Sequence, residues 1–239
     1  MLPIDYTLGV IAFWLTLALL GLVLQGSPRA ITRIIFPAGA IGALALAAVA
    51  LNALGGPANT AVLPLGLPDL PFHLRMDSLS SFFLLLLGAA SLGISLYSAG
   101  YFRHMEGRSL GLLCFEYHVF LAAMALVFLA DDAYLFMVAW ETMALSSYFL
   151  VTTDHNIPET RRAGFLYLLV AHVGAIAILL CFGVMQGGHG DYTFATMREA
   201  HLNSFWASAT FLLALFGFGA KAGILPLHAW LPEAHPAAP

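Results

Sequence analysis

The sequence predicts an all-α membrane protein, a polytopic bundle of seven transmembrane helices of which the last is broken. Three observations indicate this class: 61% of the 239 residues are hydrophobic, only 9% are charged, and the apolar residues fall in seven long runs. An average soluble domain carries roughly 25% charged residues, so this chain could not cover its apolar surface in water. The composition excludes a secreted soluble domain, a nucleic-acid-binding protein and a disordered chain.

The first three spans are expected at about 6–25, 31–54 and 77–100. Each is close to the roughly 20 residues that cross about 30 Å of hydrocarbon. The first run is longer than the hydrophobic core of a signal peptide, about 7–15 residues, and is interpreted as a retained span. A Pro-rich loop, 55–76, follows span 2 and is expected to be ordered but not helical. Asp77 is predicted to cap span 3.

The later spans are expected at about 110–130, 133–153 and 163–186, with a seventh starting near residue 204. The polar segment 187–203 between the last two is predicted to hold a short surface helix. A closed barrel would show alternating segments of about ten residues. These runs are about twice that length and apolar all round, so the sequence favours helices.

The basic residues of the short loops predict the orientation. Loops after spans 1, 3 and 5 carry six of them and the other loops two, which places the N-terminus on the periplasmic side of a bacterial inner membrane. The six are Arg29, Arg33, Arg103, Arg108, Arg161 and Arg162, and the two are Arg75 and Arg198.

Two charged side chains lie deep inside predicted spans. Glu141 lies nine residues past Asp132, and Lys221 about sixteen residues into span 7, so both fall near the middle of the membrane. An isolated charge there costs about 2.5–3.5 kcal/mol on insertion scales, and we therefore expect the two opposite charges to pair. Because breaking and remaking such a pair changes its affinity for protons, we interpret it as an ion or proton relay. A pair that only fixes helix packing is the alternative.

Three further polar side chains are weaker candidates. His172 lies at similar depth in span 6, where it would serve as a proton relay or as a neutral histidine hydrogen-bonded between helices. Glu116 and His118 in span 4 would form part of the path by which protons enter, or a solvated polar pair near the cytoplasmic side. A b-type haem with His118 and His172 as axial ligands is a further alternative, but it leaves Glu141 and Lys221 unexplained.

The backbone around Lys221 predicts a break in span 7. Gly219 and Gly223 weaken the helix and allow close approach of neighbours. Pro226 and Pro232 lack an N–H and would clash with carbonyl groups one turn earlier. Transporters build ion sites at such breaks, where protein or water covers the freed backbone groups. An ordinary Pro-kinked helix is the alternative.

Two segments of the chain carry a family resemblance. Residues 139–151 read AWETMALSSYFLV, and residues 219–239 read GAKAGILPLHAWLPEAHPAAP. The first resembles the fifth-helix motif, and the second the broken seventh helix, of the antiporter-like membrane subunits of the complex I and membrane-bound hydrogenase family. The ending EAHPAAP is more similar to the hydrogenase-4 and formate hydrogenlyase members than to the NADH–quinone oxidoreductase chains. Mrp sodium/proton antiporter chains are the third group of relatives.

The resemblance implies a fold and a function. Members have about fourteen helices with two inverted repeats, so residues 1–109 would supply three N-terminal helices and the loop 55–76. Residues 110–239 would supply the first part of the first proton-translocating repeat, up to the first half of helix 7. The family's fifth-helix glutamate corresponds to Glu141, its seventh-helix lysine to Lys221 and its sixth-helix histidine to His172. Such subunits carry no redox centre and move protons driven by redox chemistry elsewhere.

The resemblance also implies partners: other membrane-arm subunits, and a peripheral hydrogenase or NADH-oxidising module. No cofactor or metal is expected in this chain, whose two cysteines, Cys114 and Cys181, form no C-x-x-C motif. Because the sequence stops inside the broken helix, we expect an N-terminal fragment that does not conduct protons alone. A sodium/proton antiporter subunit and a non-conducting fragment or scaffold remain the alternatives.

Overall fold

The computed structural model describes residues 2–104, 109–188 and 190–239. Among these residues, seven helices are long and apolar enough to cross a membrane, which confirms the predicted fold class. Six of them are α1 (Pro3–Val23), α2 (Pro28–Ala53), α3 (Ser78–Tyr101), α4 (Leu110–Leu129), α5 (Ala133–Val151) and α6 (Pro158–Met185), and the seventh span covers Ser204–Ala237. Arg108, used in the orientation argument, lies outside the described residues.

The first of two compact units comprises Met1–Leu65 and His73–Ala130 and contains α1 to α4. Within it α1 packs on α4, and α2 packs on α3. Small residues allow these close contacts: Gly88 of α3 lies against the backbone of Ala43 and Ala47 in α2. The fully buried side chains of this unit include Trp14, Phe36, Leu46, Leu84 and Leu121.

A β-hairpin occupies most of the loop predicted between spans 2 and 3. Its strands are β1 (Asn59–Leu67) and β2 (Leu70–Met76), and they form a two-stranded sheet. The prolines of this segment suggested irregular structure, but both strands of a hairpin are edge strands, where proline is tolerated. Gly66, with φ of +108°, supplies the left-handed backbone next to the turn.

The start of α3 is capped as predicted. The Asp77 carboxylate accepts a hydrogen bond of 3.0 Å from the Ser80 backbone N–H. That hydrogen bond, assisted by Arg75 at 3.4 Å, holds the pKa of Asp77 below its ordinary value.

The second unit comprises Gly66–Phe72 and Asp131–Pro239. Its central helix is α6, which packs against both α5 and the first part of span 7. The predicted short surface helix is present as α7 (Phe194–Glu199), with Arg198 and Glu199 exposed and Met197 buried.

Span 7 is broken, as the sequence predicts. Its first part, α8 (Ser204–Ala222), ends at Gly223, which has a left-handed backbone with φ of +72°. A 3₁₀ turn follows at Leu227–Trp230, and α9 (Leu231–Ala237) completes the span with Pro232 in its first turn. Glycine is the residue that adopts this conformation at low cost, and proline is suited to the first turn of a helix.

Candidate functional site

The carboxylate of Glu141 contacts His172 across the α5–α6 interface. Glu141 Oε2 lies 3.4 Å from His172 Nε2, with 31% and 45% of the two side chains exposed. The other ring nitrogen, Nδ1, lies 3.0 Å from the carbonyl oxygen of Leu168. A carbonyl only accepts hydrogen bonds, so this contact places a proton on Nδ1. The sequence analysis proposed both residues, and the structure brings them together.

The hydrogen-bonding capacity of the two side chains limits how this contact can be attractive. With Nδ1 protonated, neutral His172 presents a lone pair at Nε2, and an ionised Glu141 presents another at Oε2. Two facing lone pairs repel each other, so an attractive contact needs a proton on His172 or on Glu141. The pair therefore has the chemistry to bind and release a proton near the middle of two membrane helices.

Lys221 lies in the last turn of α8 and contacts Tyr167 of α6. Its Nζ donates a hydrogen bond of 2.7 Å to the Tyr167 hydroxyl and lies 4.8 Å from the centre of the ring. The Tyr167 hydroxyl in turn donates to the Ala144 carbonyl of α5 at 3.3 Å. Tyr167 is 2% exposed. The lysine charge is therefore held by one buried phenol, through its hydroxyl oxygen.

The predicted ion pair between Glu141 and Lys221 is not formed in this structure. Among the residues described, neither has the other within the 4.0 Å that defines an ion pair, although both belong to the second unit. The physical reason is that α6 packs against both α5 and α8 and offers each charge a partner of its own: His172 for Glu141 and Tyr167 for Lys221. The prediction paired the two opposite charges but did not take into account the partners that α6 provides between them.

The broken backbone next to Lys221 is tied together by local contacts. Trp230 Nε1 donates to the Ala220 carbonyl at 2.9 Å, and the Ile224 N–H donates to the Gly219 carbonyl at 3.0 Å. The helix end therefore keeps partners for carbonyl groups that the break would otherwise leave free, as a membrane interior requires. The left-handed Gly223 makes this turn possible.

Sequence reasoning missed Tyr167 and Trp230. The two rings meet edge to face, with centres 5.2 Å apart, so the break in span 7 packs directly on the phenol that holds Lys221. One signal was available: Tyr167 places a hydroxyl in an otherwise apolar span, five residues before His172. Apart from its position between Pro226 and Pro232, nothing in the sequence indicated that Trp230 contacts the site.

Glu116 and His118 lie on α4 in the first unit, and both are buried. His118 Nδ1 lies 2.8 Å from the Cys114 carbonyl. Its Nε2 has no hydrogen-bond partner among the described residues and packs against Gly39, where an added Cβ would lie only 2.6 Å away. That packing leaves no room for an axial haem iron at Nε2. The role of Glu116 and His118 in proton entry remains a prediction.

Comparison with known proteins identifies relatives of the chain. Residues 130–239, which contain the whole Glu141–His172–Tyr167–Lys221 arrangement, match the family described as NADH:quinone oxidoreductase/Mrp antiporter, transmembrane. Hydrogenase-4 component B of Escherichia coli (strain K12) is 45% identical over 166 residues, which are 70% of this chain and 25% of that protein. Formate hydrogenlyase subunit 3 of the same organism is 28% identical over 199 residues, 82% of this chain and 30% of that protein.

The fold is also found in a solved structure. A chain of the Mrp complex from Dietzia sp. DQ12-45-1b superposes with a TM-score of 0.76 at 23% identity, over 96% of this chain and 25% of that one. The present chain thus spans less than a third of the length of these relatives. The seven helices, the broken seventh span and the matched sequences agree: the chain belongs to the antiporter-like membrane proteins of the complex I and membrane-bound hydrogenase family.

Proposed function

We propose that the chain moves protons across the membrane at a site formed by Glu141, His172 and Lys221. The observation that carries this proposal is the Glu141–His172 contact of 3.4 Å, which brings a carboxylate and an imidazole close enough to share a proton. Glu141 is the one charged residue within Ala133–Val151, and an ionisable group inside a membrane span is costly and is therefore a candidate for function. Lys221, next to a helix break, supplies a mobile positive charge.

The proposed cycle alternates between two arrangements. In the first, Glu141 shares a proton with His172 while Lys221 is held by Tyr167, and the contacts of 3.4 Å and 2.7 Å support this arrangement. In the second, Lys221 moves to Glu141 and forms the ion pair that the sequence predicts. The approaching ammonium favours the ionised carboxylate, so the shared proton leaves. When Lys221 withdraws, the carboxylate and His172 take up another proton.

The setting of this cycle is proposed from the relatives. Hydrogenase-4 component B and the NADH:quinone oxidoreductase family are named for redox complexes. We therefore propose that this chain works beside other membrane subunits in a bacterial inner membrane, with its N-terminus periplasmic. A peripheral hydrogenase or NADH-oxidising module would drive it, and the chain itself would carry no redox centre.

A sodium/proton antiporter subunit is the second candidate. The match to the Mrp antiporter family and the superposition on the Mrp complex favour it. Proton movement that needs sodium ions but no redox substrate would select this function over the first. Proton movement that needs the redox substrate and is unchanged without sodium would select the redox-driven function.

The test is proton uptake by inverted membrane vesicles that contain the chain in its native complex, followed with a pH-sensitive dye. Glu141→Gln removes the ionisable group while keeping its size, and we expect at least a tenfold slower uptake. Glu199→Gln, an identical change at an exposed position of α7, is the matched control and should leave uptake unchanged. Equal uptake in both variants would refute the proposal.

A further inference from the structure

We propose that Tyr167 is the second partner of Lys221, a positioning residue that holds the ammonium whenever the Glu141–Lys221 pair is open. This inference rests on the proposed function, because it describes where the lysine goes between two encounters with Glu141. The Lys221 ammonium would then have two alternative partners, the carboxylate of Glu141 and the phenol of Tyr167.

The contacts of Tyr167 match those that a lysine charge requires away from water. The hydroxyl oxygen accepts from Lys221 Nζ at 2.7 Å, and the ring centre lies 4.8 Å from the same atom. These two distances place Nζ beyond the hydroxyl oxygen, so the phenol oxygen is its acceptor. This oxygen carries no formal charge, so it holds the ammonium more weakly than a carboxylate at contact distance would, and a carboxylate can replace it.

The orientation of the phenol is fixed by α5. Its O–H donates to the Ala144 carbonyl at 3.3 Å, which turns the oxygen lone pairs toward Lys221. Ala144 lies three residues after Glu141, on the adjacent turn of the same helix and about 4.5 Å further along its axis. Both positions of the lysine are therefore anchored to neighbouring turns of α5.

The break in span 7 sets the place of Tyr167 from the other side. The Trp230 ring packs edge to face on the Tyr167 ring, with centres 5.2 Å apart. The Trp230 Nε1 group also donates to the Ala220 carbonyl, one residue before Lys221. Tyr167 therefore contacts both the helix that carries Glu141 and the broken span that carries Lys221. A displacement of either segment would move Tyr167 and, with it, the hydrogen-bond acceptor of Lys221.

The test measures how often Lys221 meets Glu141. A membrane-permeant carbodiimide adds a carboxyl group to give an O-acylisourea. An amine in contact with it, in its unprotonated form, attacks the acyl carbon, forms an amide bond and releases the carbodiimide as a urea. Mass spectrometry detects the product as a Glu141–Lys221 crosslink. The reagent is applied to native membranes containing the complex. Tyr167→Phe keeps the ring and its contact with Trp230 but removes the hydroxyl. We expect at least a threefold higher crosslink yield and at least a threefold slower proton uptake, because the lysine remains with Glu141.

Tyr117→Phe is the matched control. Tyr117 is also buried, and its hydroxyl also makes a hydrogen bond, 2.9 Å to Ser95 Oγ, but it belongs to the first unit. We expect wild-type crosslinking and uptake in this variant, and equal accumulation of both variants shows that folding is intact. A wild-type crosslink yield in Tyr167→Phe overturns the assignment of Tyr167, whatever the uptake rate. Failure of the proposed function is seen separately, as unchanged proton uptake in Glu141→Gln.

Discussion

The crossing of α6 and α8 holds Lys221 in place, and a single methyl group should disturb it. The two helices meet glycine to glycine, with Gly174 on α6 and Gly217 on α8. A Cβ built on Gly217 would lie 2.7 Å from the Gly174 carbonyl oxygen, 2.6 Å from Ile178 Cγ1 and 3.1 Å from the Ile178 backbone nitrogen. Two of these three atoms belong to the backbone, so they cannot move aside as a side chain would. Gly217→Ala must therefore push the helices apart.

The size of the effect follows from these distances. Ordinary contacts of a Cβ begin near 3.4 Å, so the Gly217→Ala methyl is about 0.8 Å too close to its nearest neighbour. Overpacking of this kind costs about 1–3 kcal/mol, while alanine gains about 1 kcal/mol over glycine inside a helix. The control is Gly183→Ala on α6, because Gly183 has nothing within 4 Å of a built Cβ. Both variants share the gain in helix propensity, so the difference between them isolates the packing cost.

The assay is thermal unfolding in detergent together with proton uptake in vesicles. We expect the melting temperature of Gly217→Ala to fall below that of Gly183→Ala by about 2–4 °C for each kcal/mol of packing cost. We also expect slower uptake in Gly217→Ala alone, because Lys221 lies one helical turn further along α8. Equal melting temperatures and equal uptake in the two variants would refute the close helix crossing and the reasoning built on it.

Two further predictions concern helix ends. Asp77→Ala should cost about 1 kcal/mol of unfolding free energy through loss of the cap, whereas Asp77→Asn should retain it at neutral pH. The pKa of Asp77 is lowered in the folded state, so its ionisation stabilises the fold at pH values above the ordinary aspartate pKa. This stabilisation is lost as the pH falls through the lowered pKa. The melting temperature should therefore fall less steeply with acid in Asp77→Asn than in the wild type, and equal steepness would contradict this. Trp230→Phe should remove the 2.9 Å hydrogen bond to the Ala220 carbonyl and cost about 1 kcal/mol, measured by thermal unfolding, with an unchanged melting temperature as the contrary result.

The positions of the membrane helices were predictable because length and hydropathy fix them without tertiary contacts. The break in span 7 was predictable for a similar reason, since Gly223 permits a left-handed backbone and Pro232 cannot continue the hydrogen bonds of a preceding helix, whatever their surroundings. The hairpin Asn59–Met76 was missed because its prolines lie on edge strands, where the usual argument against a strand does not apply.

The partners inside the site could not be predicted from the sequence. Spacing placed Glu141, His172 and Lys221 at similar depth, but which side chains meet depends on how each helix is rotated about its axis. The contact of Lys221 with Tyr167 arises because α8 approaches α6 closely at Gly174 and Gly217. Such an approach depends on how the two helices pack and not on either segment alone.

The central claim is that Lys221 takes part in transport as a mobile positive charge, which moves between Tyr167 and Glu141 and displaces the proton that Glu141 shares with His172. The most direct test is the initial rate of proton uptake by vesicles that contain Lys221→Met. Methionine keeps an unbranched side chain but carries no charge. We predict at least a tenfold lower rate at normal levels of the complex. A wild-type rate in Lys221→Met would contradict the account.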